Sequence, residues 1–95
     1  MSVKILIKRE VPESKQKGLN ELLKEMRTFC TQQPGYISGE TLERADHPGE
    51  FLVISTWQSV DDWRKWVISQ ERQEVQDKID ELLGVETRYE MYTYH

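Results

Sequence analysis

The chain has almost nothing to crosslink with. Cys30 is the single cysteine among 95 residues, so no intrachain disulfide can form and the small disulfide-stapled scaffolds are excluded. The histidines number two, His47 inside a turn sequence and His95 at the last position. Neither has a cysteine or carboxylate at zinc-ligand spacing, and no metal site is expected. Glycine-rich phosphate cradles and nucleophile elbows are also missing. Lysines interrupt the opening Val3-Lys4-Ile5-Leu6-Ile7-Lys8-Arg9 before the ~7–15 apolar residues of a signal core are reached. No window approaches the ~20 consecutive apolar residues of a membrane span. A cytoplasmic location with no membrane partner is the expectation. Positive charge is short as well: 13 Lys and Arg stand against 17 Asp and Glu, a net charge of −4. No basic field draws nucleic acid, and no nucleic-acid partner is expected.

What is present is enough for one domain, spanning residues 1–95, with a poor ratio of surface to volume. Val3, Ile5 and Ile7 alternate with Lys4, Leu6 and Lys8, the period-two pattern of a strand. Pro12 stops that strand and opens a helix whose Leu19, Leu22, Leu23, Met26, Phe29 and Cys30 form a stripe at helical period. Gly18 inside it marks either a weak first turn or a close approach. Gln33-Pro34-Gly35 ends the helix. A second strand, Tyr36–Glu43, carries Gly39, which signals a bulge or a close contact. The turn residues Asp46-His47-Pro48-Gly49 then join it as a hairpin to the apolar strand Phe51–Trp57.

Ser59, three residues before Asp62, reads as a capping box that starts the next helix. All three tryptophans fall at this junction: Trp57 ends the strand, and Trp63 and Trp66 follow on the helix. Ser69 offers a second cap, so two helical segments with a bend are expected, one continuous helix being the alternative. Val75, Ile79, Leu82 and Leu83 resume the apolar stripe, Gly84 stops it, and 85–94 reads as a last strand. The order β-α-β-β-α-β predicts an α+β, ferredoxin-like fold with an antiparallel four-stranded sheet and its helices on one face. The other face, with Leu6, Leu52 and the aromatic last strand, is left uncovered. A homodimer formed through that sheet face is expected to cover it.

Pro34-Gly35-Tyr36 entering the second strand, the apolar strand to Trp57, and Trp57-Gln58-Ser59 followed by Trp63, Trp66 and Ser69 resemble the antibiotic biosynthesis monooxygenase (ABM) domains. These belong to the dimeric α+β barrel superfamily, and the resemblance spans nearly the whole chain. It implies a dimeric barrel and an oxidoreductase activity of the kind in that superfamily: cofactor-independent oxygenation of polycyclic phenols and quinols, or haem degradation. The haem-degrading branch uses a first-strand asparagine, a helix tryptophan and a histidine ten residues further on. Trp66 matches that tryptophan, but position 76 is Gln76 and the first strand offers Ile7, Lys8 and Arg9 instead. An amide is a poor iron ligand, so haem is not expected, and no cofactor is.

A cofactor-independent monooxygenase needs an apolar cavity and groups that favour and steady a phenolate. Met26, Phe29, Tyr36, Trp63 and Trp66 are the expected pocket for a small apolar or aromatic molecule. Trp66 and Arg9 are the expected catalytic residues. Each has a plainer reading: aromatics at helical spacing as core, and Arg9 as a solvated strand end. Tyr89, Tyr92 and Tyr94 divide between packing and hydrogen bonding in the same way. Two other functions stay open, a dimeric module that binds a small apolar ligand without turnover and a structural protein with no cavity. A void above ~300 Å³ beside Trp66 separates the pocket readings from the last.

Overall fold

Alternation along the first strand sets the two faces of the sheet. In β1 (Val3–Glu10), Val3, Ile5 and Arg9 are buried on one side, while Lys8 and Glu10 on the other are exposed. The computed structural model describes residues 2–95. β1 pairs antiparallel with β3 (Glu50–Trp57) and β4 (Glu90–Thr93), and β3 pairs antiparallel with β2 (Tyr36–Glu43), giving the order β2-β3-β1-β4. Register puts Val3 opposite Trp57, Ile5 opposite Ser55, Ile7 opposite Val53 and Arg9 opposite Phe51, all on the inner face. Lys4, Leu6 and Lys8 meet Thr56, Ile54 and Leu52 on the outer face.

The helices α1 (Glu13–Cys30), α2 (Val60–Val67) and α3 (Gln70–Leu83) complete a ferredoxin-like α+β fold. The break between α2 and α3 is real: Ser59 and Ser69 each accept a hydrogen bond from the backbone N–H three residues on. The second limb of the Ser59 box differs from the expected one, because the Ser59 hydroxyl itself donates to Asp62 Oδ2 at 2.9 Å. Gly84 ends α3 in the left-handed region at φ 71. Gly18 permits close packing, since a Cβ there would lie 3.4 Å from Leu82 Cδ2 on α3. The Gly39 signal has both meanings: the β2–β3 register shifts between Tyr36 and Ser38, and a Cβ at Gly39 would lie 2.6 Å from the Tyr36 hydroxyl.

Two apolar clusters hold the layers together. Val3, Ile5, Trp57 and Trp66 form one beneath α2, and Val11, Leu19, Val75 and Ile79 form the other around the α1–α3 contact. Met26 and Phe29 pack against both. The outer sheet face keeps Leu6, Leu52 and Ile54 only half-buried, with Leu42 47% exposed. No described helix is long and apolar enough to cross a membrane.

The last strand is shorter than the expected 85–94, because only Glu90–Thr93 is laddered. The residues before it are drawn to the helix layer. Thr87 bonds Gln76 and Asp80, and the Tyr89 ring packs edge-on against Trp63. Gly35 sits at φ +85, where a Cβ would run into the Asp62 side chain. Gly35→Ala is therefore expected to lower the unfolding free energy by more than about 2 kcal/mol in urea denaturation, from left-handed strain plus the collision.

Candidate active site between the helices and the sheet

Ser59 fixes where α2 begins, and so where its two indoles point. Trp66, 5% exposed, and half-buried Trp63 both line a cavity of about 100 Å³ between helices and sheet. Its floor is Ile5, Ile7 and Arg9 from β1 with Val53 and Ser55 from β3; Leu23, Met26 and Cys30 come from α1, Arg72 and Gln76 from α3, and Tyr89 from the chain before β4. The two tryptophans share this wall without stacking on one another, and Trp63 meets Tyr89 instead, ring centroids 5.6 Å apart. At about 100 Å³ the void beside Trp66 falls below the ~300 Å³ that separates the pocket readings from a protein with no ligand cavity, so volume by itself favours the structural reading and the pocket reading rests on the residues that line the void.

Arg9 is no solvated strand end. It is 8% exposed, and its buried Nε has no hydrogen-bond partner. Burial holds its guanidinium below the ordinary arginine value, with the Asp80 charge opposing. Arg72, 7% exposed, is lowered by burial too, with Asp80 opposing and Arg9 adding repulsion. Arg72 Nη1 donates to the Val67 carbonyl at 3.1 Å, Nη2 donates to Gln76 Oε1 at 3.4 Å, and the guanidinium lies 5.1 Å from the centre of the Tyr89 ring. Gln76 is the hub. Its Nε2 donates to Asp80 Oδ1 at 2.9 Å and to Thr87 Oγ1 at 2.6 Å, and the Tyr89 hydroxyl donates to its Oε1 at 3.4 Å.

The expected pocket residues divide. Met26, Trp63 and Trp66 line this cavity. Tyr36 lines a neighbouring pocket of about 140 Å³ over β2 and β3, which shares Leu23, Met26, Cys30, Val53 and Ser55 with the first. Phe29 packs between the two apolar clusters and lines neither pocket. His47 borders a larger but open cleft of about 450 Å³ at the end of the sheet, which Arg9 also borders. The cavity beside Trp66 is the candidate site, because it joins two indoles and a phenol to the buried Arg9, Arg72 and Gln76. Arg72 was not singled out from the sequence. The signal for it is the spacing of Arg72, Gln76 and Asp80, four apart, beside the apolar Val75 and Ile79 on the same helix.

A family model for antibiotic biosynthesis monooxygenase matches residues 2–78. The chain belongs to the antibiotic biosynthesis monooxygenase family. Solved structures share the ABM fold. A conserved protein from Methanosarcina mazei Go1 is 17% identical, with a TM-score of 0.91 over 100% of this chain and 94% of that one. Rv0793 from Mycobacterium tuberculosis is 19% identical, with a TM-score of 0.85 over 100% and 96% of the two chains. A mutant of SnoaB, a cofactor-independent oxygenase from Streptomyces nogalater, is 15% identical, with a TM-score of 0.82 over 99% and 93%. At these identities the likeness is one of fold. No curated protein matches the chain in sequence.

Haem does not fit the site of this ABM protein. Gln76 stands where the haem-degrading branch has its histidine, and both ends of its amide are already hydrogen-bonded. No imidazole lines the cavity, and no group of metal-ligating side chains occurs among the described residues. Cys30, at the cavity wall, has its thiol pushed up from 9.0 to about 11, chiefly by burial and against the pull of Arg72. Between those values the unfolded chain has released the thiol proton while the folded one retains it, so stability falls as pH rises. Thermal melts from pH 8 to 11 are expected to show wild type losing on the order of 2 kcal/mol more than Cys30→Ala over this window.

Proposed function

We propose that this chain is a cofactor-independent monooxygenase of an aromatic or quinol-type small molecule, with Arg9 and Trp66 as catalytic residues and Met26 and Trp63 as pocket walls. One observation carries the reading: a buried arginine whose Nε has no partner among the described residues lines an indole- and phenol-walled cavity in a member of this family. A phenolate ring is electron-rich enough to react with O₂ directly. The ring carbon bonds O₂ to give a peroxide anion, which takes up a proton from solvent; the hydroperoxide then loses its ring C–H proton and hydroxide, together one water, and leaves a quinone carbonyl. One oxygen atom stays in the product and the other leaves as water. The substrate supplies all the electrons, so no reductant is required. A fixed positive charge beside largely apolar walls stabilises the developing anion without reorganising.

The cavity of about 100 Å³ is below the ~150 Å³ that accommodates a benzene ring. Met26 lies on the wall shared with the 140 Å³ pocket, and its flexible thioether is the side chain whose rotation joins the two spaces. Tyr36 then borders the enlarged site. Oxygen uptake with a panel of hydroquinones and polycyclic phenols tests this. Wild type is expected to turn over at least one class, Arg9→Ala to lose on the order of 10²-fold in kcat, and Trp66→Phe to raise KM. Absence of turnover with tight binding of an apolar ligand would leave a non-catalytic binding module.

The outer sheet face belongs to the same reading. Leu6, Leu42, Leu52 and Ile54 are neighbours across three strands, and this face pairs with its copy in a homodimer about a two-fold axis. Sedimentation equilibrium at micromolar concentration is expected to give twice the 11.3 kDa chain mass. Leu52→Lys, which places a charge in the middle of the patch, is expected to return it to a monomer; a wild-type monomer would remove the dimer.

A further inference from the structure

We infer that the helix–sheet cavity selects its ligand as a preformed monoanion, a phenolate or a carboxylate, bound by the Arg9 and Arg72 guanidinium groups, and that the protein itself removes no proton from it. The inference rests on the same cavity being the substrate site and narrows the substrate to its acidic members.

The charges around the cavity carry the argument. β1 supplies Arg9 and α3 supplies Arg72, both more than nine-tenths buried. Asp80 is the nearby carboxylate. It does not line the cavity, and it already accepts from Gln76 and Thr87 at 2.9 and 2.7 Å. Asp77, also on α3, is exposed. α1 contributes Cys30, whose thiol is neutral below about pH 11. α2 and β3 contribute no titratable group to the lining, and the Tyr89 hydroxyl donates a hydrogen bond to Gln76 Oε1. Two buried positive charges therefore face one carboxylate, and the balance is one negative charge short.

Arg9 shows where that charge is wanted. Arginine cannot shed its proton to relieve burial, and leaving a buried donor unmade costs more than a typical hydrogen bond contributes. Among the described residues no group makes the bond to Nε. Arg72, by contrast, is fixed by Val67, Gln76 and the Tyr89 ring, so it presents a set orientation to whatever Arg9 binds. A planar oxyanion is the ligand group that matches a guanidinium fork such as that of Arg9, with Arg72, whose Nη atoms are held by Val67 and Gln76, adding its charge. No carboxylate or imidazole lines the cavity to act as a base. A neutral phenol thus has nowhere to send its proton inside the site, and the ligand arrives ionised or loses its proton to solvent on entry.

The test begins with wild type and two probes of the same shape. Benzoate is expected to bind at least about tenfold more tightly than benzamide by calorimetry, as charge-assisted bidentate bonds exceed neutral ones. Bound 4-nitrophenol is expected to turn to its coloured anion at lower pH than the free phenol. Equal affinity of benzoate and benzamide, or an unchanged nitrophenol titration in a bound complex, would overturn the inference. Arg9→Met separates a binding role from a structural one: it is expected to melt higher than wild type and to lose the preference for benzoate. A lower melting temperature with the preference intact would count against it. Anion binding without oxygen uptake on any phenol leaves this inference standing and removes the oxygenase reading. Turnover with no anion preference does the reverse.

Discussion

The wholly buried Trp57 is the contact on which the layers depend. It ends β3, sits opposite Val3 on one neighbouring strand and Tyr36 on the other, and meets the Tyr36 ring edge-on at 5.5 Å. Its indole N–H donates to Ser55 Oγ at 3.1 Å, so the ring is buried without an orphaned donor. The next residues turn the chain at once. The Gln58 amide donates to the Gly35 carbonyl at 2.7 Å, and Ser59 caps α2 with Asp62 tucked against Gly35. Because the sheet holds Trp57 and the cap follows two residues later, α2 has one starting point and one heading. Trp63 and Trp66 reach the cavity as a consequence.

Around that cavity the protein departs from the usual economy of a small core. Hydrophobic clusters lie on both sides, yet Arg9, Arg72 and Gln76 are buried between them. Gln76 is fully satisfied, and the loop after α3 is recruited to do it. Thr87 and Tyr89 leave the sheet ladder to bond the amide, and β4 is short for that reason. Arg9 is the exception. A charged side chain with an unmet donor is kept where a leucine or methionine would pack, and buried polar groups that cost stability are commonly retained for binding. The proposed anion site and the proposed oxygenase chemistry both derive from this one position.

Much of the architecture is written in short-range signals. Alternation gave β1 its inner and outer faces, the serines at 59 and 69 set the two helix starts, and Gly84 set a stop, because caps and periodicity act within a few residues. The site was only partly legible. Trp66, Trp63 and Met26 stand at the cavity because they lie on apolar helix faces that must meet the sheet. Phe29 shares that helical stripe and Tyr36 opens β2, but Phe29 is taken up between the clusters and Tyr36 lies beyond Met26. Arg72 and Tyr89 were not readable as partners, since their contact joins a helix to a segment seventeen positions on, and no local rule pairs them.

The sequence by itself determined the element order, the helix boundaries and the family, all of which rest on local spacing and on motifs such as Trp57-Gln58-Ser59. Only the tertiary structure decided which polar residues are buried. Arg9 at the end of a strand is an ordinary solvated residue until α3 and the chain before β4 close over it. Burial is a property of what packs above a residue, and that is fixed by elements distant in the chain.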